Sequence, residues 1–459
     1  MRRSLLKKGD IVFGKAVNYT FDGLAILRTE NGESIFVPSL NKSESADVRV
    51  EYVSRKANYG RIVKLHTFAP ERIEPRCPIA TACGGCQFQN LAYPAQLEFK
   101  KQKVKDAFHN IAHIDPEVAN VIGMKEPYFY RNKTQMPFGF EKKGKIVSGF
   151  YRAKTHDIIP VKQCYIENDK AGPVIHTIRE LMIKYQIPPY DEDAHTGFLR
   201  HVLIRTSYHF SHLMVVLVTV KEFIPNLNSF LEALLEEHKE ITTITQNINK
   251  DQTNVILGLK DKVLFGPGYI KDKIAKVEFR ISPKSFFQIN PLQTEKLYQT
   301  IIDLAEFNGN ERVLDAYSGI GSIGLVISSY VREVIGVESV KVAVKDAEMN
   351  AKRNKIKNAR FYEGDAGDFL ENAAKTGQRF DVVILDPPRR GASQKFIKSL
   401  LRVLPSKIIY VSCDPATMAR DIALLKNHYE VGTLHPVDMF PFTHHVETCA
   451  LLKKKCESF

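Results

Sequence analysis

The chain has 459 residues, 44% apolar and 25% charged. That length exceeds what one hydrophobic core serves, so roughly two to four domains are expected, and the composition excludes a disordered or fibrous protein. A formal charge of +13 suits a polyanionic partner, because Lys and Arg displace counterions from phosphates.

No run of about 18 apolar residues occurs, so no membrane span is expected. The basic start, residues 1–8, is followed by no apolar stretch of signal-peptide length, which points to the cytoplasm. The seven cysteines are odd in number and unevenly clustered. They suit metal or catalytic use rather than a disulfide framework. Nothing in the sequence sets an oligomeric state.

In chain order, residues 1–68 hold short strands at 11–14, 23–27, 34–37 and 48–53, separated by polar turns. This pattern predicts a small closed β-barrel. Twelve Lys and Arg stand against seven Asp and Glu in the same stretch, so the barrel is read as an RNA binder. Residues 70–90 carry Cys77, Cys83 and Cys86 among Pro and Gly, a loop pattern. A charged helix follows from about 94 to 108. Strands at 202–205 and 213–218 and a helix at 229–238 then predict an α+β domain within 69–270.

From about 290, within a last domain taken as 271–459, the rhythm changes. Apolar strands at 312–315, 333–338, 381–386 and 407–412 alternate with helices. That alternation means a parallel, doubly wound, Rossmann-like α/β sheet. Ligands of such sheets bind at the carboxyl ends of the strands. Four features stand there. Asp315-Ala316-Tyr317-Ser318-Gly319-Ile320-Gly321-Ser322-Ile323-Gly324 is a strand end with glycines for close backbone approach. Glu338, ending the next strand, suits two ribose hydroxyls. Asp365 suits an adenine edge. Asp386-Pro387-Pro388-Arg389 is a corner that several base methyltransferases aim at an extruded base. Together they point to S-adenosylmethionine.

Ser412-Cys413-Asp414-Pro415 directly follows a buried strand. Most free cysteines there are small hydrophobes, but the chemistry asks for a thiol. Uracil C5 is a poor nucleophile until a thiolate adds to C6. The C5 proton must then be removed by a base. Glu447, in His444-His445-Val446-Glu447, is the candidate; His444 and His445 remain alternatives. The target must also leave its stack, and Phe286 or Phe287 would stack on it or simply pack in the core. Cys449 and Cys456 are assigned no role. Cys77, Cys83, Cys86 and Cys164 suit zinc or an iron–sulfur cluster, the five-residue first gap favouring iron–sulfur.

These pieces, with Ser285-Phe286-Phe287-Gln288-Ile289-Asn290, resemble the RNA (uracil-5-)-methyltransferase family over nearly the whole chain. The resemblance implies a class I methyltransferase domain, a TRAM-like barrel, and a [4Fe-4S] cluster on Cys77, Cys83, Cys86 and Cys164. It implies S-adenosylmethionine contacts at Gln288, Tyr317, Glu338 and Asp386, nucleophile Cys413 and general base Glu447. Barrel and cluster together resemble the branch acting on 23S ribosomal RNA, with a transfer-RNA uridine as the alternative. Ser318 departs from the family, which often has Cys there. A radical S-adenosylmethionine enzyme spaces three cysteines by gaps of three and two, unlike the five and two here. A non-catalytic RNA-binding factor needs neither Cys413 nor Glu447.

Overall fold

The computed structural model describes residues 6–141, 144–152, 155–253 and 255–456; the first five residues of the basic start lie outside them. The chain divides into two compact units. One is Met1–Lys103 with Phe440–His445, the other Val104–Met439 with Val446–Phe459.

The first unit contains a closed five-stranded barrel: Ile11–Tyr19, Ala25–Thr29, Ser34–Val37, Ser45–Val53 and Asn58–Thr67. Period-two alternation turns Ala16, Leu27, Ile35, Val48 and Val50 inward and leaves Lys15, Arg49 and Arg61 outside. The sequence pattern marked four of these strands. The fifth, Asn58–Thr67, escaped it because Gly60 and the exposed Arg61, Lys64 and His66 hide the alternation. Following the barrel, Arg72 reaches back to the buried Glu44 carboxylate, with Nη2 at 2.8 Å from Oε2. The backbone N–H groups of Asn41 and Ala69 complete that carboxylate's partners, as a buried charge requires.

In the second unit, the first sheet has seven strands, in the order Lys260–Phe265, Ile241–Ile248, Leu213–Thr219, Leu199–Thr206, Lys133–Phe140, Ile146–Tyr151 and Ile158–Pro160. Helices Ala171–Lys184 and Leu227–Glu237 bury Val174, Ile178, Met182 and Leu234 against its Val202 and Val215.

The other large sheet is built from β1 (Arg312–Ala316), β2 (Glu333–Glu338), β3 (Ala359–Glu363), β4 (Val382–Leu385), β5 (Lys407–Ser412), β6 (Tyr429–Val437) and β7 (Glu447–Lys454). Their order is β3-β2-β1-β4-β5-β7-β6. The first five are parallel, and β7 runs antiparallel to both β5 and β6. Helices α1 (Ser322–Ile327), α2 (Lys341–Arg353), α3 (Ala366–Lys375), α4 (Gln394–Val403) and α5 (Pro415–Leu425) connect the strands. Covered on both faces, β4 reads as an unbroken apolar run whose four residues are all buried. The strand order reverses between β1 and β4, which opens a crevice at their carboxyl ends. Among the described residues no helix is long and apolar enough to cross a membrane.

Candidate active site

Strand register brings the candidate residues to one edge. Ala316 pairs with Val337 and Leu385, and Leu385 pairs with Tyr410. Tyr317, Glu338 and Asp386 therefore emerge together where the parallel strands end, with Cys413 just beyond β5. In the antiparallel β5–β7 pairing Ser412 lies opposite Thr448. Extending that register one residue past the last pair brings Cys413 toward Glu447, whose carboxylate is the largest charge influence on the Cys413 thiol after burial.

The turn after β1 is shaped by Asp315. Its buried carboxylate accepts the Gly324 N–H at 2.8 Å. A Cβ on Gly324 would lie 2.8 Å from the same oxygen, so only glycine fits this approach. Tyr317 takes a left-handed φ of 67°, and its ring lies 5.6 Å from that of Phe396. Glu338 accepts N–H bonds from Gly319 at 3.1 Å and Val340 at 2.8 Å, linking the glycine turn to the start of α2. Asp365 caps α3 through one oxygen, which accepts the N–H groups of Gly367 and Asp368. Gln288 is buried, and its carbonyl accepts from the Asn132 side chain at 3.0 Å. Phe287 is packed against Phe279, whereas Phe286 is 69% exposed; of the two rings, only Phe286 is free to meet a base. A cavity of about 540 Å³ is lined by Tyr317, Asp365, Pro388, Arg390, Gly391 and Arg420, among others.

The electrostatics at Cys413 are unusual. Burial, then the Glu447 and Asp386 carboxylates, push its thiol up to about 12, while Arg389 pulls the other way. Burial and Asp386 push Glu447 well above the usual carboxylate range, again opposed by Arg389. Burial raises Asp386 to about 7. Three acidic groups thus share one poorly hydrated place with too little positive charge to ionise all of them.

His444 and His445 belong to the first unit, where their rings lie 4.0 Å apart. Lys103 Nζ there donates to the His444 carbonyl at 2.8 Å. Cys77, Cys83 and Cys86 are also in the first unit and Cys164 in the second, all free of disulfides. Cys83 ends a short helix, Ala80–Cys83, that Gly84 terminates with a φ of 69°. Among the described residues no group of three or more His, Cys, Asp or Glu is gathered as a metal site. Cys449 is buried and Cys456 exposed.

Comparison with known proteins agrees with this geometry. The family model described as tRNA (Uracil-5-)-methyltransferase matches residues 92–455. The chain belongs to that family. It is an S-adenosylmethionine-dependent RNA (uracil-5-)-methyltransferase. An "Uncharacterized RNA methyltransferase" of Clostridium tetani is 41% identical, covering 92% of each chain. One from Listeria innocua is 40% identical over 99% of this chain and 100% of its own. The solved structure of Pyrococcus abyssi tRNA (uracil-54, C5)-methyltransferase with S-adenosyl-L-homocysteine matches at a TM-score of 0.78. It is 27% identical and covers 96% of this chain and 99% of that one.

Two residues of this family member's site had no role in the sequence reading. Arg389 stood in a quoted motif, but its pull on Cys413 and Glu447 emerges only in three dimensions. Asp421 sits on the buried face of α5 between Met418 and Ile422. A carboxylate at an apolar helical position was the available signal.

Proposed function

We propose that this methyltransferase modifies C5 of a uridine through a covalent bond from Cys413 to C6, with Glu447 as the base that removes the C5 proton. The observation that supports this is the antiparallel pairing of β5 with β7, whose adjoining ends lead into a half-buried thiol and a buried carboxylate. Cys413 loses its proton to solvent and adds as a thiolate to C6; the C5–C6 double-bond electrons shift toward the C4 carbonyl oxygen, giving an enolate whose C5 is electron-rich. S-adenosylmethionine, when bound, supplies an electrophilic methyl group to C5. Glu447 then takes the C5 proton, and the Cys413–C6 bond breaks to release the thiolate and the methylated ring.

The residues fit a sulfonium cofactor. Cys413, Glu447 and Asp386 form an acidic site in which only Arg389 opposes the upward push on the thiol and on Glu447, a setting that favours a cationic sulfonium. Glu338 would hold the ribose, Asp365 the adenine edge with the oxygen not used for capping, and Tyr317, Gln288 and Asp386 the rest of the donor. Glu338→Ala is expected to weaken S-adenosylmethionine binding roughly tenfold or more, measured by calorimetry; unchanged affinity removes Glu338 from the set.

The functional parts are read as an RNA-binding barrel at 1–68, a cysteine-bearing α+β part at 69–270 and the catalytic part at 271–459. Cys77, Cys83, Cys86 and Cys164 are read as ligands of a [4Fe-4S] cluster. This reading is supported by four disulfide-free thiols and their spacing, and no step of the reaction runs through it. Protein purified without air is expected to hold iron and acid-labile sulfide, and Cys83→Ser to lose both; absence from wild type removes the cluster.

The substrate is read as 23S ribosomal RNA in the cytoplasm, on the barrel and the four cysteines. A transfer-RNA uridine is the second reading, favoured by the likeness to the archaeal transfer-RNA enzyme. Mapping 5-methyluridine in both RNAs from a strain lacking the gene decides: loss from 23S RNA supports the first, loss from transfer RNA alone the second.

A further inference from the structure

The inward face of α5 buries Pro415, Met418, Ala419, Ile422 and Leu425, and in the same row Asp421, which is 1% exposed. A carboxylate persists in such a place only when donors meet it. Here donors come from three parts of the chain. Tyr410, on β5, donates its hydroxyl to Oδ2 at 2.7 Å. The Ala392 N–H donates to the same oxygen at 2.8 Å. Arg420 grips Oδ1 through Nε at 2.9 Å and Nη2 at 2.6 Å. That Nη2 also donates to the Arg390 carbonyl at 2.9 Å.

The network closes on the backbone of residues 390–392. Gly391 turns there with a φ of 78°. A Cβ on it would lie 2.5 Å from Arg420 Nη2 and 2.6 Å from Asp421 Oδ2, so the chain rests directly on the ion pair. Ser393 then caps α4 by accepting the Phe396 N–H at 3.1 Å. The segment held this way does two things. Pro388, Arg390 and Gly391 wall the cavity that Tyr317 and Asp365 also line. The same segment begins with Arg389, directly after the Pro-Pro corner, whose positive charge opposes the upward push on the Cys413 thiol and the Glu447 carboxyl.

We propose that Asp421, clamped by Arg420 and Tyr410, is a positioning residue that fixes segment 389–393, which carries Arg389 past the Pro-Pro corner and walls the cavity beside Tyr317 and Asp365. This rests on the reading of Cys413 as nucleophile. Asp421 and Arg420 border the same cavity; the role assigned to Asp421 is to hold the segment, not to take part in the chemistry.

Adduct formation on RNA carrying 5-fluorouridine, followed against pH with S-adenosylmethionine present, gives the test. The variants are Asp421→Asn and Arg420→Ala. The half-exposed Arg420 side chain makes the second a safeguard against a folding defect at the first. Both are expected to keep RNA binding and to form the adduct on the order of a hundredfold more slowly. The rising limb of the pH profile should also move to higher pH, because a displaced Arg389 no longer favours the thiolate. Arg420→Lys, which keeps the charge but loses the double grip, should recover part of the rate. A rate loss that tracks lost melting temperature, with the pH profile unmoved, overturns the positioning role. Variants matching wild type in rate and profile overturn it as well. Wild type that forms no adduct overturns the nucleophile reading and this proposal together.

Discussion

Cys413→Ala is expected to abolish methylation while RNA binding persists. Removing a covalent nucleophile leaves only binding and positioning, so the rate should fall by roughly 10⁴- to 10⁶-fold. Cys413 lies at a strand end, half-buried, with its thiol raised by burial and by Glu447 and Asp386. A purely structural cysteine there would tolerate Ala at a modest stability cost and leave turnover intact. Methyl transfer and RNA affinity are therefore measured on the same preparation. Retained turnover would remove Cys413 from the chemistry.

Glu447→Gln separates the two halves of the reaction. The amide keeps the shape of the side chain but takes no proton. Addition and methyl transfer should proceed, while release slows by about 10²- to 10⁴-fold, the usual contribution of a positioned general base. Denaturing gels should therefore show RNA–protein adduct accumulating on ordinary uridine RNA, where wild type passes through it. Burial and the neighbouring Asp386 hold Glu447 well above the ordinary carboxylate range, with Arg389 opposing them. Normal turnover in this variant would return the role to another group.

Four strands of the sheet that carries this chemistry, β1, β2, β4 and β5, were legible in the sequence because they are largely buried, whereas the more exposed β3 and β6 were not marked. The stretches 333–338 and 407–412 coincide with β2 and β5, since runs such as Ile408-Ile409-Tyr410-Val411 admit no other reading. The barrel was less plain. Its fifth strand alternates exposed Arg61 and Lys64 with a glycine, and pattern alone does not separate that from a loop. Strand Lys133–Phe140 contains Pro137, which weakens a strand signal. In the site, single residues at strand ends were readable, but their relations were not. That Cys413 and Glu447 are neighbours depends on β7 entering antiparallel beside β5, out of chain order. Asp365 shows the opposite case: sequence position suggested a ligand contact, and the structure gives one of its oxygens a helix to cap.

The account stands on a bond between the Cys413 sulfur and the pyrimidine ring. Fluorine at C5 cannot leave as a proton does, so a methylated adduct on such RNA has no route to release. The direct measurement is mass spectrometry of protein incubated with 5-fluorouridine RNA and saturating S-adenosylmethionine. The expected result is a methylated nucleotide attached to the peptide containing Cys413. Attachment at another residue, or wild-type protein that methylates uridine RNA yet never traps the fluorinated one, would contradict it.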